Sequence, residues 1–386
     1  MNGTALGRDL ASLLKHYAAV SPSSPTLIPS PPFPSPRDLS TPAAQQWIVD
    51  HLLALNQTQQ DGARAWKKAF WSRVVKGIEV GFAQRRAEGD EAVEDEETHP
   101  DLLETMVDYL SSPTATSAGA APGVSRRVYY YGPFDGPIDS WSSIITREEG
   151  RLISGGTTGL RTWQACVALS NHLLADPTLV LTHKRIIELG AGVGLLSLVS
   201  AKLSAGGAAP EIEGAEPRIV ATDVDEKVLE MLQANIAENG MQARVNACAL
   251  DWELAPDPEH DTGTSELDQW ASRVWRTDGP RVSLVLGADI VYDPTLVGPL
   301  SNTLAWLLGS ARTGAADTCC TAEALIAGTV RNEETWQLFL SACRTRRMRV
   351  EPVKMQRPLP EGSGIVGAEG WEGEGEVRLV RITRAV

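Results

Sequence analysis

The stretch "IIELGAGVGLLSL", residues 186–198, decides the fold. It opens as a short β-branched run broken only by Glu188, and it closes on leucines at helical spacing. Between the two stand Gly190, Gly192 and Gly194 at alternate positions. Glycines spaced in this way let the backbone turn sharply and approach a ligand closely, where side chains would collide. A strand that breaks on glycines and resumes as a helix is the first turn of a ligand-binding α/β unit. A nicotinamide-type GxGxxG loop would place its third glycine at position 195, which is Leu here, and this weakens the dinucleotide reading.

Outward from that turn the chain alternates. RIVATD (218–223), RVNACALD (244–251), VSLVLGAD (282–289) and EALIAGTV (323–330) are short runs of strand character. All but RVNACALD lead into a helical period, such as DEKVLEMLQANIAENG (225–240), which starts on Asp225 as N-cap and stops at Gly240. EVRLVRITRA (376–385) is a last strand with no helix after it. Alternation of this kind predicts an α/β fold with a largely parallel sheet covered by helices. The inserts AGGAAPEIEGAEP (205–217) and PDPEHDTGTSE (256–266) are expected as surface loops.

Ligands of such sheets bind at the carboxyl ends of the strands. There the sequence sets Glu188 before the glycines, then Asp223, then Asp251 with Trp252, then "GADIVYDP" (287–294). The ExGxGxG arrangement resembles the loop that holds S-adenosylmethionine in seven-stranded methyltransferases. On that reading Asp223 accepts from the ribose hydroxyls, Trp252 offers adenine a flat stacking face, and Asp251 reads the exocyclic amine. Each has a plainer alternative: Trp252 as core, Asp251 as a turn former. Their joint appearance at successive strand ends favours the site.

The rest of the chain bounds the function. Thirty-five Lys and Arg against 49 Asp and Glu give a formal net charge of −14, which disfavours steering toward a phosphate backbone. The five cysteines are odd in number and lack CxxC spacing, and the six histidines show no paired-ligand pattern. Reduced thiols in the cytoplasm and no metal site are expected. The start, MNGTALGRDL, has no signal-peptide pattern, and no uncharged apolar run approaches the roughly 18 residues of a membrane span. Residues 21–42 carry eight prolines and are expected as an extended strap. AAQQWIVDHLLALNQ and ARAWKKAFWSRVVKGIEVGF should be helices sharing an apolar face of Trp47, Leu52, Leu53, Trp66, Phe70 and Val74. The acidic run 89–101 should be solvated, LLETMVDYL helical and PTATSAGAAPGVS a loop. RRVYYYG and SWSSIIT should pair as a hairpin, followed by a helix with Trp163, Val167, Leu169, Leu173 and Leu174 on one face.

Five stretches now carry a narrower resemblance: GGTTGLRTWQA (155–165), IIELGAGVGLLSL, LDW (250–252), GADIVYDP and GTVRNEETWQLF (328–339). They resemble the seven-stranded protein-lysine methyltransferases called methyltransferase family 16, over roughly residues 140–386. The glycine loop is generic, whereas TTGLxTW followed by TVRNxET is specific. The resemblance implies a Rossmann-like S-adenosylmethionine-dependent methyltransferase domain over residues 140–386. Residues 1–139 would be a largely helical accessory region. It implies cofactor contacts at Trp163, Glu188, Gly190, Ala191, Gly192, Asp223, Asp251, Trp252 and Ala288. Asp289 and Tyr292 correspond to the family's Asp-x-x-Tyr pair at the reacting amine. It also implies a protein substrate, elongation factor 2, and a monomeric enzyme with no direct nucleic-acid or membrane partner.

An ionised Asp289 beside a lysine would raise the amine's pKa, so the expected role is attraction and alignment, not base catalysis. The plainer alternative has Asp289 capping a turn and Tyr292 packing on the next helix. An RNA methyltransferase would typically carry an Asn-Pro-Pro-Tyr type run where this chain has Asp-Ile-Val-Tyr. A non-catalytic assembly factor that keeps the cofactor fold is a further alternative, and a nicotinamide oxidoreductase another.

Overall fold

The computed structural model describes residues 5–19, 33–55, 64–111, 124–133, 136–149, 158–205, 217–256, 266–275, 282–309, 322–360, 362–366 and 375–385. Residues 112–123, most of both inserts, Gly155 to Thr157, Cys319, Cys320 and the first part of the Pro-rich stretch lie outside the described residues. The chain forms two compact units, Met1–Ser154 with Leu359–Glu372, and Gly155–Pro358 with Gly373–Val386.

In the first unit, helix α1 (Ala5–Ala19) was not expected. Its buried Leu10, Leu13, Leu14 and Tyr17 follow the 3.6-residue period. Each fully buried leucine contributes about 1.5–3 kcal/mol. The described end of the Pro-rich stretch is helical, not extended: Ser35 caps α2 (Pro36–Leu39) by accepting from the Asp38 amide, with Pro36 at the helix start. Proline there loses no hydrogen bond and presets φ for the helix. Thr41 then caps α3 (Pro42–Ile48), which runs on as a π turn over Val49–Leu53. Helix α4 (Arg64–Ala87) sets Trp66, Phe70 and Trp71 around Tyr17, with ring centroids 5.5, 4.5 and 5.7 Å away.

The acidic run is largely solvent-exposed, as expected, and is anchored at a few points. Val93 is fully buried, and Arg85, 6% exposed, donates from Nε to Asp90 at 2.8 Å and from Nη2 to Glu96 at 3.2 Å. A buried guanidinium draws these carboxylates inward because it would otherwise be left uncompensated. Helix α5 (Pro100–Ser111) follows, then the antiparallel hairpin of β1 (Val124–Tyr131) and β2 (Ser142–Glu149), both as expected. From α1, the fully buried Lys15 donates to the carbonyls of Gly132 (2.9 Å) and Gly362 (2.8 Å) and lies 4.7 Å from the Trp141 ring centroid.

The second unit is built on seven strands, β3 (Ile186–Leu189), β4 (Ile219–Asp223), β5 (Val245–Ala249), β6 (Leu284–Ala288), β7 (Glu323–Thr329), β8 (Met348–Val353) and β9 (Val377–Arg384). Their order is β5-β4-β3-β6-β7-β9-β8, parallel except for β9, which runs antiparallel to both neighbours. This is the Rossmann-like arrangement of S-adenosylmethionine-dependent methyltransferases, as the sequence led us to expect. The central strands read as continuous apolar runs because they are buried on both sides. Edge strand β8 is mostly half-buried and alternates polar with apolar residues, which left it hidden in the sequence.

Among the described residues this unit has seven α-helices: α6 (Gln164–Ala175), α7 (Thr178–Leu181), α8 (Leu195–Ala205), α9 (Glu226–Glu238), α10 (Glu266–Val274), α11 (Val297–Gly309) and α12 (Glu333–Thr345). The sequence reading left the third strand without a helix, yet α10 follows it. That helix has nine residues, too short for its Leu267, Trp270 and Ala271 stripe to stand out beside the insert. The chain leaves β3 for β4 and β5 and returns to β6 on the opposite side of β3. Such a reversal opens a crevice at the carboxyl ends of β3 and β6. No described helix is long and apolar enough to cross a membrane.

Candidate active site

The crevice is a cavity of about 460 Å³ within the second unit. Its floor is the turn between β3 and α8, held when the Ala191 amide donates to the Thr222 carbonyl at 2.7 Å. Gly190 has φ +60°, and a Cβ there would sit 2.7 Å from Ile290 Cγ2. Gly192 has φ +55°, and its Cβ would lie 3.0 Å from the Gly159 carbonyl oxygen. Both positions therefore need glycine, for conformation and for space.

Glu188, 1% exposed, lines the wall and accepts from the Ser197 hydroxyl. Burial pushes its carboxyl up to about 8, so it is mostly protonated at neutral pH. Asp223, at the end of β4, accepts from three amides: Gly192 (3.2 Å), Val224 (2.8 Å) and Asp225 (3.2 Å). Burial raises its pKa above the ordinary carboxylate value while these amides oppose the shift. Asp225 caps α9, accepting from Lys227 and Val228, as its position predicted.

At the end of β5 the plainer alternatives read from the sequence are both present. Asp251 caps the turn Trp252–Leu254 by accepting from the Glu253 amide at 2.9 Å, and Trp252 packs against the hydrophobic core. Both also line the cavity. The segment before α6 closes the far side. Trp163 donates from Nε1 to the Thr158 carbonyl at 3.0 Å, and Arg161 stacks over its ring at 4.9 Å.

Strand β6 ends in Ala288 and then Asp289, which has φ +55°. That left-handed conformation costs a non-glycine residue of order 1 kcal/mol and persists only where surroundings demand it. They do so here. The Asp289 carboxylate accepts from the Thr329 amide (2.7 Å), the Thr329 hydroxyl (3.1 Å) and the Ala165 amide (2.9 Å), and its own amide donates to the Ala327 carbonyl (2.9 Å). One side chain thus ties the ends of β6 and β7 to the first turn of α6. Tyr292 stands at the mouth, 55% exposed, its phenol pushed above its ordinary value by partial burial and by the Asp223 and Asp293 carboxylates. Asp293 caps the following turn through Thr295.

All eleven residues singled out from the sequence line this cavity: Trp163, Glu188, Gly190, Ala191, Gly192, Asp223, Asp251, Trp252, Ala288, Asp289 and Tyr292. Arg161, Cys166 and Ile290 line it too and were not singled out. Arg161 lay in plain view inside TTGLRTW, whereas nothing local marks Cys166 or Ile290 as cavity residues. No group of three or more metal-ligating side chains occurs among the described residues.

A family model described as lysine methyltransferase matches residues 147–323. The protein-lysine N-methyltransferase EFM3 of Chaetomium thermophilum is 30% identical over 334 residues, covering 85% of this chain and 86% of that protein. The human protein-lysine N-methyltransferase EEF2KMT is 29% identical over 237 residues, covering 58% of this chain and 62% of its own length. EFM3 of Saccharomyces cerevisiae is 29% identical over 217 residues, covering 53% and 55%. The similarity to the fungal relative runs through both units, so this chain belongs to the lysine methyltransferase family and is an enzyme of that class.

Proposed function

We propose that this enzyme methylates a lysine of translation elongation factor 2, using S-adenosylmethionine, and that it works as a cytoplasmic monomer without binding nucleic acid or membrane. The observation that carries the reading is one cavity into which the glycine turn, Asp223, Trp252 and Tyr292 all open. The name of the human relative EEF2KMT supports the choice of elongation factor 2. The net charge of −14 supports a protein over a polynucleotide.

The residues present fit the cofactor. Gly190 and Gly192 leave a cradle that a Cβ would fill, and around it Asp223 would accept from ribose while Trp252 with Asp251 would receive adenine. Trp163, Glu188, Ala191 and Ala288 complete the wall. When bound, S-adenosylmethionine would supply a sulfonium methyl group open to attack by an amine lone pair, with S-adenosylhomocysteine as the leaving group. The protein's task is to present that amine unprotonated and in line. Lysine ordinarily titrates near 10.4, so deprotonation near pH 7.4 costs about 4 kcal/mol, part of which an apolar channel supplies. Asp289 spends its carboxylate on three donors, so it holds the wall and does not take the proton. Tyr292 at the mouth aligns the entering side chain. We assign residues 140–386 to catalysis and residues 1–139 to an accessory domain that helps dock the substrate.

The test is to incubate purified enzyme with radiolabelled S-adenosylmethionine and a lysate from cells lacking the activity. A labelled band of the size of elongation factor 2, lost when its acceptor lysine is changed to arginine, is the expected result. Label in another protein removes the proposed substrate, and label in nucleic acid removes the protein reading altogether.

A further inference from the structure

We propose that Arg161 holds the carboxylate of the cofactor's methionine moiety, and so makes binding depend on the amino-acid end of the ligand; this rests on the S-adenosylmethionine reading above. Among the described residues that line the cavity, Arg161 is the one that is basic. The charged positions around it are acidic, including Asp223, Asp251, Asp289 and Asp293. A ligand carrying an ammonium, a sulfonium and a carboxylate finds many acceptors for its cations there and one positively charged side chain for its anion.

Position agrees with charge. If adenine lies at Trp252 and ribose at Asp223, the methionine end falls to the remaining wall, the segment before α6. That segment lies over the glycine turn, because the Gly159 carbonyl oxygen is 3.0 Å from where a Gly192 Cβ would be. The Trp163 indole, donating to the Thr158 carbonyl, closes the segment on itself. Arg161 is stacked over the same indole at 4.9 Å and is 3% exposed. A guanidinium is suited to this because its planar fork can receive both carboxylate oxygens while its face rests on an aromatic ring. Stacking also limits the rotamer freedom that ligand binding would otherwise have to remove.

The test compares two ligands by calorimetric titration: S-adenosylhomocysteine, which has the amino-acid end, and methylthioadenosine, which keeps adenine, ribose and sulfur but lacks it. In Arg161→Ala the affinity for S-adenosylhomocysteine should fall about tenfold or more, the size expected for a charge-assisted hydrogen bond. Affinity for methylthioadenosine should stay within about twofold of wild type, since that ligand makes no such bond. Arg161→Lys should recover part of the loss, and if Arg161→Ala fails to fold, the ratio of the two affinities in Arg161→Lys decides. Equal loss for both ligands would assign Arg161 to cavity shape and overturn the proposal, as would unchanged S-adenosylhomocysteine binding. Wild-type protein that binds neither ligand would remove the cofactor reading itself, an outcome distinct from either.

Discussion

The two units use their polar side chains differently. In the second unit Asp223 and Asp289, half-buried carboxylates at strand ends, are held by backbone amides a few residues away or on the neighbouring strand. Asp223 takes the amides of Val224 and Asp225, and Asp289 takes that of Thr329 across the β6–β7 pair. In the N-terminal unit buried cations hold segments together, one of them, Arg127, paired at 3.0 Å with the equally buried Glu148. Lys15 reaches carbonyls 117 and 347 residues along the chain, and Arg85 gathers Asp90 and Glu96. The carboxylates shape a cavity open to a ligand, while the cations fasten segments to one another. Polar burial in a site is left accessible on one side, and polar burial in a scaffold is closed off.

The hardest test of that contrast is Trp71→Ala, which empties a fully buried position in the first unit. It should cost about 3–5 kcal/mol of stability, measured by denaturant unfolding. No described cavity-lining residue belongs to that unit, so S-adenosylhomocysteine affinity of the folded protein should not change. A matching loss of affinity would show that the cavity depends on the first unit.

Asp289→Asn sharpens the same contrast at the site. Asparagine tolerates φ +55° and keeps one acceptor, but its amide cannot accept from Ala165 or the Thr329 hydroxyl. Stability should fall by about 1–3 kcal/mol through the unsatisfied amide. Turnover should decline without vanishing, and its pH profile should keep its shape. A profile that loses its acid limb in Asp289→Asn would restore the carboxylate as the proton acceptor.

Stability should also depend on pH, and here the two units should pull in opposite directions. Burial lowers Lys15 from its ordinary 10.5 to about 7, so between those values the unfolded chain holds a proton that the folded chain lacks. Stability from this group rises with pH across that window. Burial raises Glu188 from 4.5 to about 8, so there the folded chain holds the extra proton, and stability falls as pH rises through the window. In urea titrations at stepped pH, Lys15→Met should flatten the alkaline rise and Glu188→Gln the fall on its acid side. If Lys15→Met left the alkaline side unchanged, the ammonium would be held by its carbonyls and the Trp141 face strongly enough to offset burial.

The site was more legible than the scaffold for a reason visible in particular residues. Glycine spacing at 190–194, the acid ending RIVATD and the acid ending VSLVLGAD are local signals, because parallel strands deliver their carboxyl ends to one edge. Arg161 could have been added by asking which motif residue would balance so many acids. Helix α1 was missed although Leu10, Leu13, Leu14 and Tyr17 repeat at helical spacing, because the apolar stripe is short and the Pro-rich stretch after it drew the reading toward extended chain. Strand β8 was missed because an edge strand lacks the continuous apolar run of a buried one.

By itself, then, the sequence determined the alternation of strands and helices, the glycine turn and the polar strand ends, since backbone sterics and hydrophobic periodicity act over a few residues. Only the tertiary structure decided what those ends do. The role of Asp289 follows from Ala165, 124 residues before it, and Thr329, 40 residues after it. The burial of Lys15 follows from carbonyls brought to it from 117 and 347 residues along the chain. Hydrogen-bond satisfaction in a closed interior depends on which segments meet there, and no local pattern encodes it.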